Sequence, residues 1–222
     1  MRVRTELHTT AQRSTTLLVL LPPAFSSIDD FYQHGFVDAV RLRQLPVDLL
    51  LANMTEHHVL NNTAVSTLTT QVLQPARANG YRAIWLVGIS MGGFTALHCA
   101  ALHADHLAGL YLIAPYPGTS DVLAEIRAAG GAASWCLQQT SIQNDRAWWQ
   151  WLGQESLKKE STTPVYFGTG TSDRFLTGQR LLAELLPVNH ITMVPGGHEW
   201  PTWKALWANW LDHGPLRGGD HR

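Results

Sequence analysis

Charge is scarce in this chain: Asp, Glu, Lys and Arg together make up 15% of its 222 residues, against about 25% in an ordinary soluble domain. The deficit argues against intrinsic disorder, coiled coil and fibrous classes. Neither sign dominates, because 16 Lys and Arg against 17 Asp and Glu give a net charge of -1, and no run of five basic residues occurs. Nucleic acid and anionic membranes are therefore not expected as partners. Cysteine is equally rare. Cys99 and Cys136 cannot build a disulfide framework and neither belongs to a CxxC pair, which points to a reducing compartment, the cytoplasm by default, and away from structural zinc. Long hydrophobic runs are missing too. Arg2, Arg4 and Arg13 precede the apolar stretch Leu17 to Leu21 in loose imitation of a signal peptide, but that stretch stops at Pro22 and Pro23. A secretory core needs roughly 7 to 15 apolar residues and a spanning helix about 18. Repeats, low-complexity tracts and Pro/Ser linkers are absent as well. One domain is the expectation for residues 1–222, since single cores keep growing to about 250 to 300 residues.

What the chain does contain is short apolar runs of strand length, at Thr16 to Leu21, Val47 to Asn53, Ala83 to Gly88, Ala108 to Ala114, Pro164 to Phe167 and His190 to Val194. Helix-length stretches separate them. Continuous apolar strands alternating with helices predict an α/β fold with a mostly parallel sheet, each strand hidden on both faces by helices. Ser27 with Asp30 predicts a capping box opening a helix to about Gln44. A helix from about Ala64 to Asn79 should end at Gly80, with Pro75 as a kink or an early stop. The final helix should start after Trp200, with Pro201 in its first turn and Trp203, Trp207 and Trp210 on one buried face. The connection at about 117–163, which carries Trp135, Trp148, Trp149 and Trp151, is longer than its neighbours and predicts a small helical, cap-like insertion. The tail from His213 to Arg222 should fray.

The chemistry concentrates in GISMGG, where Gly88, Ser90 and Gly92 fit G-x-S-x-G. The match follows an apolar strand and precedes the helical stretch Met91 to Leu102, which is the strand, sharp turn and helix of a nucleophile elbow. Such a turn brings the backbone on its two sides together, so the positions two before and two after the serine must be small. A serine hydroxyl needs a base, and the base needs an orienting acid. Asp173 in GTGTSD follows one predicted strand and His198 in VPGGHEW follows another, both at carboxyl ends where open α/β sheets carry their sites. His198 would take the Ser90 proton and Asp173 would fix the imidazole tautomer. For the oxyanion, the Met91 N–H supplies one donor. The second should come from the loop LPPAF, whose prolines have no N–H to give, leaving Ala24 or Phe25.

These residues resemble the α/β-hydrolase superfamily of serine hydrolases, over about residues 15–213. The chain has LPPAF where many members carry a His-Gly pair, and it lacks the HGGG signature of lipase and esterase branches. The wider pattern LPPAF, DDF, WLVGISMGG and APYPG is similar to a functionally unassigned bacterial branch of that superfamily. The resemblance implies an α/β-hydrolase fold and a cofactor-independent serine hydrolase cleaving a carboxylic ester or thioester of a small molecule through an acyl-enzyme. It also implies relatives other than dehalogenases and epoxide hydrolases, which build the same site on aspartate.

Competing readings stand beside each residue. Asp173 would serve equally as a turn or N-cap aspartate, and Asp121 and Asp145 are weaker candidates for the acid inside the insertion. His98, His103 and His106 lack metal-ligand spacing and read as a partly exposed helix face, so no metal is expected. His57 and His58 follow a strand end and are possible substrate contacts. Trp135 is another, though packing is the better account of the insertion tryptophans. Acyl transfer or perhydrolysis by the same triad, and a non-catalytic binding protein on this fold, remain alternatives. Nothing in the sequence bears on the oligomeric state.

Overall fold

The computed structural model describes residues 1–7, 14–138, 145–158, 161 and 163–217. In chain order the elements are β1 (Val3–Glu6), β2 (Thr16–Leu21), α1 (Ile28–Gln33), α2 (Phe36–Leu42), β3 (Asp48–Ala52), α3 (Glu56–Leu60), α4 (Ala64–Leu68), a π-helical segment (Thr69–Leu73), α5 (Gln74–Ala78), β4 (Ala83–Ile89) and α6 (Met91–His103). They continue with β5 (Gly109–Ile113), α7 (Ser120–Ala128), α8 (Ala132–Gln138), α9 (Asp145–Ser156), β6 (Val165–Gly170), α10 (Leu176–Ala183), β7 (Ile191–Val194) and α11 (Trp200–His213).

The strands form one sheet in the order β1-β3-β2-β4-β5-β6-β7. Only β1 is antiparallel, and the other six run in parallel. Alternation along β2 shows why these strands read as unbroken apolar runs. Leu17, Val19 and Leu21 join one core and Leu18 and Leu20 the other, all fully buried. The first core lies under α4 to α10, the second under α1, α2 and α11. The central strands β2 to β6 therefore hide two faces and leave polar residues almost no outward position to occupy, while the edge strands β1 and β7 keep exposed positions.

Three departures from the sequence expectation have physical causes. Strand β1 is invisible in the pattern because it is a four-residue edge, mostly exposed and paired only to β3. The helix expected from Ser27 to Gln44 has its capping box, with the Ser27 N–H donating to Asp30 Oδ2 at 2.7 Å. It is broken at Gly35, whose φ of +72 starts a second helix in a new direction. Around Pro75 the helix neither ends nor stops early. A π-helical turn precedes α5, and Pro75 falls at its start, where the missing N–H costs no hydrogen bond.

Trp203, Trp207 and Trp210 are buried on one face of α11, and Trp207 Nε1 donates to the Phe36 carbonyl at 3.0 Å. Residues 117–163 contain α7, α8 and α9, with Trp148 and Trp149 stacked at 4.5 Å in the core. Cys99 and Cys136 are free thiols, and burial pushes Cys99 up to about 12 and Cys136 to about 11. Expected fraying beyond Arg217 lies outside the described residues, and before it a short 3-10 turn runs from Pro215 to Arg217.

Candidate active site

Strands β2, β4, β5, β6 and β7 end along one edge of the sheet, with Leu21 of β2 paired to Gly88 of β4 and Gly170 of β6 paired to Val194 of β7. The turn after β4 holds Ser90 at φ +51, ψ -111, a conformation that costs a residue with a side chain roughly 1 to 3 kcal/mol. Three backbone bonds hold it there. The Ser90 N–H donates to Ile113 O at 3.0 Å, while the Ser90 carbonyl accepts from Tyr116 N at 3.0 Å and Phe94 N at 3.1 Å. The flanking glycines allow the close approach: a β-carbon on Gly88 would collide with the Gly92 carbonyl, and one on Gly92 with the Leu21 carbonyl. Both obstacles are backbone and neither can rotate away. Gly92→Ala is therefore expected to destabilise the fold by about 3 kcal/mol, lowering Tm by roughly 10 °C in a thermal melt.

Asp173 follows β6 in a tight turn, with its N–H donating to Gly170 O at 3.1 Å. Its side chain is fully buried and divides its oxygens. Oδ1 accepts from Phe175 N at 2.8 Å, and Oδ2 lies 2.7 Å from His198 Nδ1. His198 follows β7 on a loop tied to the Asp173 turn by Ser172 N donating to Gly196 O at 2.9 Å. Its other ring nitrogen, Nε2, lies 2.8 Å from Ser90 Oγ. Phe175 and Trp203 meet the imidazole edge to face, with centroids at 5.0 and 5.1 Å. Trp203 is thus a core residue that also walls the histidine, a contact the helical spacing alone does not reveal. Asp173, His198 and Ser90 form one hydrogen-bonded chain, and each is almost wholly shielded from water.

Ser90 opens into a cavity of about 670 Å³ lined mainly by apolar side chains, with Ala24 and Met91 also among its lining residues. Neither the Ala24 nor the Met91 N–H makes a backbone hydrogen bond among the described residues. Phe25 has φ +60, is 91% exposed and does not line the cavity.

The three residues singled out as possible substrate contacts are placed elsewhere. His57 is exposed on α3, and His58 Nδ1 lies 2.8 Å from Thr55 Oγ1 in the cap of that helix. Their neighbours Val59 and Leu60 line the cavity instead. Trp135 is 2% exposed in the core, where α8 packs against α9, and does not reach the cavity. Phe94, Tyr116 and Phe175, which the sequence did not single out, do line it, as do His98 and Asp145, which the sequence offered only in other roles. Tyr116 keeps its phenolic proton: burial first, then the charges of Asp145 and Asp121, push its pKa up. Among the described residues no group of three or more His, Cys, Asp or Glu could hold a metal ion, and no helix is long and apolar enough to cross a membrane.

A mostly parallel sheet with a strand-turn-helix serine and a strand-end aspartate and histidine defines a serine hydrolase of the α/β-hydrolase fold. The chain belongs to the esterase family, described as "Putative esterase", whose model matches residues 52–211 and so spans Ser90, Asp173 and His198. Among solved structures it is similar to Est1E from Butyrivibrio proteoclasticus, with TM-score 0.65, 13% identity, and 94% of this chain and 90% of that one covered. It is also similar to the fluorophosphonate-binding serine hydrolase FphF of Staphylococcus aureus, with TM-score 0.63, 12% identity, and 92% and 84% covered. A third is the S-formylglutathione hydrolase FrmB of the same organism, with TM-score 0.59, 13% identity, and 92% and 82% covered. No curated protein sequence matches the chain significantly.

Proposed function

We propose that the protein hydrolyses a small-molecule carboxylic ester or thioester through an acyl-enzyme on Ser90, with His198 as general base and Asp173 as its orienting acid. The observation that carries this reading is the pair of short contacts, 2.8 Å from Ser90 Oγ to His198 Nε2 and 2.7 Å from His198 Nδ1 to Asp173 Oδ2, at the mouth of an apolar cavity. Each contact lies within proton-transfer reach.

In the first half-reaction Ser90 Oγ bonds to the ester carbonyl carbon while its proton passes to His198 Nε2. The carbonyl oxygen becomes an oxyanion held by the N–H groups of Met91 and Ala24, at the start of α6 where the helix dipole favours negative charge. Of the two candidates in LPPAF, Ala24 is preferred because it lines the cavity and Phe25 does not. The intermediate collapses by breaking the bond to the leaving alcohol or thiol, which takes the proton from His198. Water then attacks the acyl-enzyme, giving its proton to His198, and the acid is released as the proton returns to Ser90. Asp173 stays ionised throughout and stabilises the imidazolium.

We read the chain as one domain, with the 117–163 insertion supplying Thr119 and Asp145 to the cavity wall. Two unpaired thiols suit a reducing, cytoplasmic setting. The test is labelling by a fluorophosphonate probe, with the adduct located by peptide mass spectrometry. Adduct on Ser90 in folded protein, and none after heat denaturation, is the expected result. Folded protein that takes no label with a small probe would leave the site a binding pocket.

A further inference from the structure

Strands β5 and β6 part beside Ser90. They pair as far as Ile113 and Gly168, and the Ala114 N–H closes the ladder on Gly168 O at 2.7 Å. Beyond that point β6 runs on to Gly170 alongside β7, while the chain leaving β5 bends toward Ser90 with Ala114 at φ +45. A residue with a side chain keeps such an angle only where its surroundings over-determine it. The bent segment is the one that clamps the nucleophile, since Ile113 O accepts from Ser90 N and Tyr116 N donates to Ser90 O, each at 3.0 Å. Between them stands Pro115, which has no N–H and whose carbonyl accepts from no backbone N–H among the described residues. Pro115 also presses on α6 so closely that a β-carbon on Gly93 would come within 2.9 Å of its own.

Gln179 supplies the bond that the parted ladder lacks. It is fully buried on α10, the helix that follows the Asp173 turn, and its Nε2 donates to Pro115 O at 3.1 Å. Its Oε1 accepts from Thr169 Oγ1. Thr169 lies in β6, one residue before Gly170, whose carbonyl receives the Asp173 N–H. Neighbouring Gly178 lets α10 come this close, because a β-carbon there would collide with the Pro117 ring. Space alone does not call for an amide here: an apolar side chain of the same length fills it, and a buried amide is unfavourable unless both its ends are bonded.

We propose that Gln179 is a positioning residue for the triad, its amide bridging the β6 end that carries Asp173 to the Pro115 segment that clamps Ser90. The proposal rests on the reading of Ser90, His198 and Asp173 as nucleophile, base and acid. His198 spans the other two, 2.8 Å from Ser90 Oγ and 2.7 Å from Asp173 Oδ2, so a drift of either side opens one of two short contacts. Gln179 does not line the cavity, and it therefore acts on the rate of the chemical steps and not on substrate binding.

The experiment measures kcat and KM for a p-nitrophenyl ester, the rate of fluorophosphonate labelling, and Tm. Gln179→Met keeps the length of the side chain and loses both bonds; kcat is expected to fall about 10- to 100-fold with KM nearly unchanged and labelling slowed in step. Thr169→Val keeps shape and strand preference and loses the hydroxyl alone, which should lower kcat about fivefold. Thr169→Ser, which keeps the hydroxyl, should recover most of that loss. Thr163→Val is the stability control, because Thr163 is also buried and its Oγ1 donates to Ala104 O at 3.0 Å, at the opposite end of β6. It should lower Tm and leave kcat alone. Gln179→Met and Thr169→Val that behave like this control, with Tm lowered and both kcat and labelling within about twofold of wild type, overturn the positioning role. Should Gln179→Met fail to fold, the Thr169 pair decides: kcat that follows the hydroxyl supports the bridge, and kcat that ignores it overturns the bridge. A wild-type protein that neither turns over an ester nor takes label on Ser90 overturns the triad reading, and the positioning role with it.

Discussion

Replacing Ser90 by alanine should lower kcat/KM for a p-nitrophenyl ester by at least about 10⁴-fold while leaving the protein folded. The two halves of that expectation have separate origins. The fold survives because the elbow is held by the Ser90 backbone, through the bonds to Ile113, Tyr116 and Phe94, and alanine keeps all three. The positive φ of 51 strains alanine as it strains serine. What disappears is Oγ, which no backbone group replaces. Residual turnover would come from the Met91 and Ala24 donors and from binding in the cavity, which polarise the ester without attacking it. The measurement is steady-state kinetics paired with a thermal melt. A Tm within a few degrees of wild type, with activity gone, fits a nucleophile. Turnover within tenfold of wild type would place the chemistry on another group.

Much of the sheet was legible in the sequence because burial on both faces turns each parallel strand into an unbroken apolar word. Strand β2 is the clear case, six residues with no exposed position. Strand β1 had no such signature, being an edge whose only partner is a strand that appears some forty-five residues later. The polar chain at the strand ends was legible for a different reason. The elbow is local, with glycines at fixed offsets that the Leu21 and Gly92 carbonyls now explain, and Asp173 and His198 each close a strand that the apolar pattern marks. The cavity was not legible in this way. Its lining gathers Ala24, Leu60, Tyr116, Asp145 and Phe175 from separate connections, and no spacing links them. His57 and His58 illustrate the limit: the strand-end position was near the cavity, yet α3 turns Val59 and Leu60 to it and uses His58 for its own cap. The stripe Met91, Phe94, His98 and Leu102 on α6 could have been read from its three-and-four spacing, but the same spacing describes any buried helix face.

Asp173→Asn is expected to cost nearly as much activity as losing the serine, about 10⁴-fold in kcat, although the two side chains have almost the same shape. The reason lies in how the buried carboxylate spends its two oxygens, one accepting from Phe175 N and the other facing His198 Nδ1. Asparagine offers one acceptor and one donor. If its oxygen faces His198, the amide NH₂ is set against the Phe175 N–H, and two donors meet at a fully buried position. If its oxygen serves Phe175, the NH₂ donates to His198 Nδ1. The imidazole proton then sits on Nε2, where it blocks the ring from accepting the Ser90 proton. The first arrangement costs stability, about 1 to 3 kcal/mol for an unpaired buried donor, and the second costs catalysis. Since the elbow, the cavity and the oxyanion donors are untouched, Tm should fall by no more than roughly 10 °C while fluorophosphonate labelling of Ser90 slows in step with ester turnover. Equal slowing of both reactions ties the loss to activation of Ser90. A variant that labels and turns over within tenfold of wild type would reduce Asp173 to the turn residue that holds Phe175, and would hand the orienting role to another carboxylate.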